Sequence, residues 1–121
     1  MSSLPRIPLR SLRTPLLFAL LLASTVLPAH AADELPVYRL DVRDGVFEPA
    51  AIEVPAGTRF RIEISNVGKG PIEFESRDLR QERVLAPGTK SSVVINALKP
   101  GTYTFFDEYH MGLPKGKIVV K

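Results

Sequence analysis

Alternation of apolar and polar residues is the feature that most limits the folds open to this chain. Phe60, Ile62 and Ile64 alternate with charged or polar residues, and similar short runs recur from residue 37 onward. Turn-forming pairs such as Asp44-Gly45 interrupt these runs about every ten residues, and no segment has a convincing helical period. The pattern therefore predicts an all-β protein, an antiparallel Greek-key β-sandwich of seven to eight strands.

The apolar positions of the alternating runs define the predicted core. Side chains at every second position of a strand point to the same face of a sheet, so these residues should meet inside the sandwich. The predicted core consists of Leu40, Val42, Phe60, Ile62, Ile64, Ile72, Phe74, Val93, Ile95, Tyr103, Phe105, Ile118 and Val120.

Residues 1–31 are predicted to be a cleaved secretory signal peptide. They contain three arginines and no acidic residue, followed by an apolar run from Leu16 to Leu27 and the small-x-small motif Ala29-His30-Ala31. The alternative is an uncleaved membrane anchor, but a span needs about 20 apolar residues and the run is shorter. We therefore expect a single periplasmic domain over residues 32–121.

The charge of the chain follows from this division. The 16 basic and 13 acidic residues give a net charge of +3, and the three arginines of the predicted signal account for the whole excess. A nucleic-acid partner is therefore not expected. The chain has no cysteine, which excludes disulfides, thiolate metal sites and cysteine nucleophiles. It also lacks hydrolase and nucleotide-binding motifs. Because Met1 and His30 lie in the predicted signal peptide, His110 and Met111 are the one histidine and the one methionine of the predicted domain.

Three stretches of the predicted domain resemble the bacterial cupredoxins. Phe47 to Thr58 is similar to the family's opening strands, Asn66 to Phe74 to its central segment, and Tyr103 to Val120 to its closing strands and ligand loop. The resemblance implies a cupredoxin-like fold. A blue-copper member would carry a cysteine where this chain has Asp107, and His110 is the one ligand position that is preserved. A type 1 copper centre is excluded, because it needs a thiolate.

A finer resemblance is to the small periplasmic cupredoxin-like proteins of bacterial high-affinity ferrous-iron uptake systems. It is carried by residues 70–76, 98–101 and 105–110, and residues 114–117 are similar to the cupredoxin domain of imelysin-type iron-uptake lipoproteins. The resemblance implies that the protein binds a Cu ion and/or an Fe ion and assists Fe(II) oxidation as a component of a ferrous-iron oxidase. The implied partner is an inner-membrane iron permease or a periplasmic iron-binding protein.

The metal ligands implied by this resemblance are rich in oxygen. Carboxylates with one imidazole suit hard or borderline ions such as Fe(II), Fe(III) and Cu(II), and a thioether adds a soft donor. Met111 and Glu108 are weaker additions to the set, because the shortened loop does not fix the direction of their side chains. The predicted ligands are Glu73, Glu75, Asp107, His110 and Met111.

Each of these residues also has a simpler explanation. Glu73 and Glu75 alternate with apolar residues, so they could face solvent and oppose Arg59 or Arg61 on a neighbouring strand. His110 could be an exposed loop histidine, Asp107 a turn cap and Met111 an apolar lid over the sandwich end. Two alternative functions follow: a periplasmic copper-binding or copper-delivery protein, or a metal-free β-sandwich that docks another protein.

Overall fold

The computed structural model describes residues 2–8, 10–11 and 34–121. Residues 2–8 and 10–11 are exposed and have no regular secondary structure. The predicted signal peptide, residues 1–31, lies largely outside the described residues, so its extent remains a prediction. In the part of the chain that is described, no helix has the length and apolar character needed to span a membrane.

Residues 34–121 fold into nine strands and one short 3₁₀ helix, Glu108–His110. Most of the strands begin or end close to glycine, proline or asparagine, in agreement with the sequence pattern. In chain order they are β1 Val37–Arg43, β2 Val46–Glu48, β3 Ala51–Val54, β4 Phe60–Asn66, β5 Ile72–Ser76, β6 Gln81–Leu85, β7 Lys90–Ile95, β8 Gly101–Phe105 and β9 Gly116–Val120.

The strands are arranged in a four-stranded sheet, β2-β1-β4-β7, a three-stranded sheet, β3-β9-β8, and a two-stranded ribbon, β5-β6. An isolated bridge between Glu75 and Phe106 joins the ribbon to the segment that follows β8. This architecture confirms the predicted all-β sandwich. It differs in detail, because β2 adds a ninth strand and because β1 with β4, and β3 with β9, pair in parallel.

The core agrees closely with the residues predicted from alternation. Twelve of the thirteen are buried, and Tyr103 is half-buried and packs against the others. Phe105 lies at the centre, with its ring centroid 4.9 Å from that of Phe47 and 5.0 Å from that of Phe74. A Cβ added to Gly116 would overlap the Phe105 ring, so this position leaves no room for a side chain. Tight packing around Phe105 fixes the start of the segment that carries the predicted ligands.

Polar contacts fix the loop that enters β5. The buried Asn66 side chain donates Nδ2–H bonds to the carbonyls of Gly70 (2.9 Å) and Leu85 (3.0 Å), and its Oδ1 accepts from the Gly68 amide (3.1 Å). The Asp44 carboxylate accepts a bond from the amide of Lys69 (2.9 Å). These bonds tie residues 67–70 to β6 and to the β1–β2 turn, and so set the position of β5.

Candidate metal centre

β5 is buried on both faces at its centre, although its sequence alternates. Glu73 is only 3 % exposed and Glu75 is half-buried. The segment after β8 covers the face that carries these two residues, and the Asp107 carboxylate accepts a hydrogen bond from the Glu73 amide at 3.0 Å. β5 pairs with β6 and not with β4, so the simpler explanation, two solvent-facing glutamates opposite Arg59 or Arg61, is wrong.

Three carboxylates come together at this place. Glu73 and Glu75 on β5 and Glu108 in the 3₁₀ helix each offer an oxygen atom, and these atoms lie within 4.8 Å of one another. Glu82 adds a fourth acidic side chain nearby, because β6 places it directly opposite Glu75. Like charges this close repel one another unless protons or a cation intervene. We call Glu73, Glu75 and Glu108 the carboxylate cluster.

Burial and the crowding of acidic side chains alter the pKa of Glu73. The pKa of Glu73 is raised from its ordinary value of 4.5 to about 7, chiefly because burial removes the hydration of the charged form. Hydrogen bonds with the carboxyl groups of Glu82 and Glu108, and the negative charge of both, contribute smaller parts of the same rise in pKa. Near neutral pH, Glu73 can therefore either hold a proton or exchange it for a cation.

Asp107 and His110 form a second group beside the cluster. Asp107 caps the 3₁₀ helix, and its side chain is buried, with only 2 % of the residue exposed. One carboxylate oxygen accepts from the amides of Glu73 (3.0 Å) and Tyr109 (2.9 Å), and the other contacts His110 Nδ1 at 2.7 Å. His110 is partly exposed, with 31 % of its side chain accessible.

The β1–β2 turn packs against the side chain of His110. A Cβ added to Gly45 would overlap His110 Cβ and would lie 2.8 Å from a methyl carbon of Leu113. Gly45 also has a φ of +88°, a backbone conformation that glycine adopts without strain. Both the close approach and the turn conformation require glycine here.

One cation, Arg77, contacts the cluster, and a second, Lys115, lies near the same aromatic ring as Arg77. Arg77 Nε lies 3.7 Å from Glu75 Oε1, and its guanidinium carbon lies 5.5 Å from the centre of the Phe106 ring. Lys115 Nζ lies 5.6 Å from the same ring. Arg77 therefore partly neutralises one member of the cluster while remaining in contact with solvent.

The predicted ligands thus fall into three environments. Glu73 and Glu75 belong to the carboxylate cluster, and Asp107 and His110 form the adjacent hydrogen-bonded pair. Met111 follows the 3₁₀ helix and is 61 % exposed. Glu108, considered only a weaker candidate from the sequence, completes the cluster. Sequence reasoning missed Glu82, although reading Arg77–Arg80 as a hairpin turn would have placed it opposite Glu75.

The donors present decide which metal site this end of the sandwich can form. A blue-copper centre requires a thiolate, and the sequence contains no cysteine, so the residues do not fit that centre. Clustered carboxylates beside an imidazole fit a hard or borderline ion such as Cu(II), Fe(II) or Fe(III).

A β-sandwich with a ligand-bearing loop after its penultimate strand defines the class of cupredoxin-like proteins. The family model for the cupredoxin-like domain matches residues 15–120, and this chain belongs to that family. An uncharacterized protein of Rickettsia prowazekii (strain Madrid E) is 32 % identical over 93 residues, which cover 77 % of this chain and 74 % of the relative.

Solved structures share the fold at lower identity. The metal-binding domain of the Cu(I)-exporting P-type ATPase CopA of Streptococcus pneumoniae D39, solved with Cu(I), aligns with a TM-score of 0.62 and 16 % identity, covering 70 % of this chain and 84 % of that domain. A purple cupredoxin from Nitrosopumilus maritimus aligns with a TM-score of 0.54 and 18 % identity, covering 69 % of this chain and 98 % of the cupredoxin. At these identities the likeness establishes the fold.

Proposed function

We propose that this chain is an exported, periplasmic protein that binds a Cu or Fe ion at the carboxylate cluster and assists Fe(II) oxidation for an inner-membrane iron permease. The observation that carries the metal-binding part is the meeting of three carboxylates around the buried Glu73. A buried carboxyl group beside two others must be protonated or paired with a positive ion. A metal ion held by Glu73, Glu75 and Glu108 would satisfy all three.

The chemistry of the donors favours the higher oxidation state of a bound metal. Carboxylate oxygens are hard ligands and stabilise Fe(III) more than Fe(II), which lowers the reduction potential and favours loss of an electron from Fe(II). His110 would supply an imidazole nitrogen from the same 3₁₀ helix that carries Glu108. Met111, with its exposed thioether, is proposed as a further, softer donor.

The proposed role in iron uptake rests on the resemblance of residues 70–76 and 105–110 to ferrous-iron uptake proteins. When one Fe(II) substrate ion is converted to Fe(III), one electron must pass to an acceptor. A single bound ion provides none, so the acceptor is a second redox metal or a partner protein. The chain would therefore act as a component of an oxidase, with Fe(III) passed on to the permease or to an iron-binding protein.

Copper binding and delivery is the second candidate function. The fold that this chain shares with the metal-binding domain of CopA, which was solved with Cu(I), favours it. Cu(I) prefers soft sulfur ligands, whereas the cluster offers oxygen, so Cu(II) is the copper state that this site suits.

Calorimetric titration with Cu(II) and with Fe(II) under anaerobic conditions tests the proposal. We expect the wild-type protein to bind one ion and Glu73→Gln to bind at least about tenfold more weakly, because the variant loses a charged donor. Glu53→Gln is the matched control, since Glu53 is an exposed glutamate that lies 3.5 Å from Lys121. Equal affinities for the wild type and Glu73→Gln would contradict the proposal, and the preferred metal would separate iron from copper roles.

A further inference from the structure

A pair of backbone hydrogen bonds joins β5 to the segment that follows β8. The Glu75 amide donates to the Phe106 carbonyl at 2.9 Å, and the Phe106 amide donates to the Glu75 carbonyl at 2.8 Å. In a regular antiparallel ladder, further backbone pairs of this kind would follow at every second residue. Instead, on one side of the pair, the Asp107 carboxylate accepts the hydrogen bond of the Glu73 amide at 3.0 Å. A side chain here takes the place of a backbone partner.

On the other side of the pair, the side chains of Ser76 and Asp78 bind the backbone of Thr104. Ser76 Oγ donates to the Thr104 carbonyl at 2.7 Å. Asp78 Oδ2 accepts from the Thr104 amide at 2.9 Å and from its hydroxyl at 3.3 Å. Thr104 presents these groups on the free edge of β8, because β8 pairs with β9 on its other edge. We call the contacts of Ser76 and Asp78 with Thr104 the turn clasp.

The turn that follows β5 is anchored next to this clasp. Ser76 is buried, and its hydroxyl oxygen also accepts a bond from the Leu79 amide at 3.3 Å. Leu79 is half-buried and packs against the hydrophobic core. Asp78, in contrast, is exposed, so its side chain can be shortened without leaving a cavity. Asp78 is therefore the member of the clasp that mutation can remove most cleanly.

The junction that the clasp closes determines the spacing of the carboxylate cluster. Glu73 and Glu75 lie two positions apart on β5 and point to the same face. Glu108 lies on the opposite segment, two residues beyond Phe106. Oxygen atoms of the three glutamates lie within 4.8 Å of one another across this junction. A movement of β5 away from Phe106 would therefore separate two members of the cluster from the third.

We propose that Ser76 and Asp78 are positioning residues for the carboxylate cluster. Through Thr104 they hold β5 against the segment after β8, at the spacing that lets the three glutamates bind one ion. The binding of that ion rests on the proposed function. The role requires a hydrogen-bond acceptor at position 78 and not a negative charge, and this difference makes the inference testable.

Hydrogen–deuterium exchange of the metal-free protein, followed by NMR, tests whether the clasp holds the junction. We expect Asp78→Ala to speed exchange of the Glu75 and Phe106 amides about tenfold, because losing the acceptor lets the ribbon open locally. Ser76→Ala should act in the same direction, since it loses the donor to the Thr104 carbonyl. Asp78→Asn loses the same charge as Asp78→Ala but keeps an oxygen that can accept from the Thr104 amide, so its rates should match the wild type. Unchanged exchange in both alanine variants, or an equal rise throughout β4, would overturn the inference.

Calorimetric titration with Cu(II) tests the effect of the clasp on the site. We expect Asp78→Ala to weaken binding about three- to tenfold, the equivalent of one net hydrogen bond, and Asp78→Asn to stay within about twofold of the wild type. The electron paramagnetic resonance spectrum of bound Cu(II) reports the ligand geometry and not the global stability. It should change in Asp78→Ala and return to the wild-type form in Asp78→Asn.

Two results of the titration would overturn the inference. Equal weakening in Asp78→Ala and Asp78→Asn would show that only the charge at this position matters. Unchanged Cu(II) affinity in Asp78→Ala would show that the clasp does not set the spacing of the cluster. Absence of Cu(II) binding to the wild type would instead overturn the proposed function, and the exchange rates would still decide whether the clasp holds β5 in place.

Discussion

Glu73 is the residue on which the account of the site depends most. Its position in an alternating strand favours solvent, yet the folded chain buries it against Asp107, which accepts a bond from its amide, and beside the carboxyls of Glu82 and Glu108. The result is an acid whose pKa is about 7, held where a cation could replace its proton.

This raised pKa predicts that the metal-free protein loses stability as the pH rises. Below pH 4.5 Glu73 is protonated in both states; between 4.5 and 7 the unfolded chain releases the proton that the folded protein still holds, which favours unfolding. The contribution of Glu73 to the free energy of unfolding should fall by on the order of 3 kcal/mol over this interval and then remain constant.

Urea denaturation of the wild type and of Glu73→Gln between about pH 4 and pH 8 measures this contribution as a difference. Titrating groups outside this set of carboxylates affect both proteins alike, and glutamine cannot ionise, so the stability of the wild type relative to the variant should decrease across the window. A difference that is constant with pH, or that increases, would show that Glu73 does not retain its proton in the folded state.

Arg77 is the residue that competes with a metal ion for Glu75. Replacement of Arg77 by glutamine removes the positive charge that pairs with Glu75. We expect Cu(II) affinity to rise by about two- to fivefold, in keeping with the small energy of an exposed ion pair. Arg80→Gln, in the same turn, removes an equal charge and serves as the control in the same titration. If both variants change affinity equally, only net charge matters and the Arg77–Glu75 contact has no specific role.

At the scale of elements, the strands could be predicted from the sequence, but the burial of Glu73 at the centre of β5 could not. Alternation identifies β1, β4, β8 and β9 because each has one face on the core and one face toward solvent. Glu73 is covered by Asp107, a residue 34 positions later in the chain, and no local pattern contains that contact. Glu108 was likewise difficult to place, since the loop that carries it becomes a 3₁₀ helix capped by Asp107.

The β1–β2 turn is predicted to control the position of the imidazole. Gly45→Ala should destabilise the fold by about 1–3 kcal/mol more than Gly57→Ala. Both glycines have positive φ, +88° and +75°, so both alanines share the backbone strain, but only at Gly45 would the added Cβ meet His110. Gly45→Ala should also weaken Cu(II) binding.

Thermal unfolding and calorimetric titration of the two alanine variants provide the comparison. Equal losses of stability at the two positions, with unchanged Cu(II) affinity, would mean that the turn does not restrain His110.

At the scale of the whole molecule, composition and alternation were sufficient for the fold class. Buried side chains from both sheets and the ribbon form one hydrophobic core, and the aromatic contacts of Phe105 lie near its centre. The candidate centre could be inferred only in part, through resemblance, because it forms where the β5–β6 ribbon meets the segment after β8. Such a junction depends on how sheets pack, and not on the order of residues within any one strand.

A metal ion bound only by the folded protein must raise the stability of the whole sandwich. At a free Cu(II) or Fe(II) concentration of about 100 times the Kd, the gain is about 2.7 kcal/mol. For a domain of this size the Tm should then rise by about 10 °C or more. Differential scanning calorimetry with and without the ion measures the shift, and Glu73→Gln should show a smaller one. An unchanged Tm for the wild type would favour the metal-free docking module.

The most direct test of the central claim is to locate the ion. Crystals of the wild-type protein grown with Cu(II) or Fe(III), measured at the absorption edge of the metal, would give an anomalous-difference map. We predict a peak within about 2.6 Å of carboxylate oxygens of Glu73, Glu75 and Glu108, and its loss in Glu73→Gln. A map with no peak, or with its peak away from these three glutamates, would contradict the account.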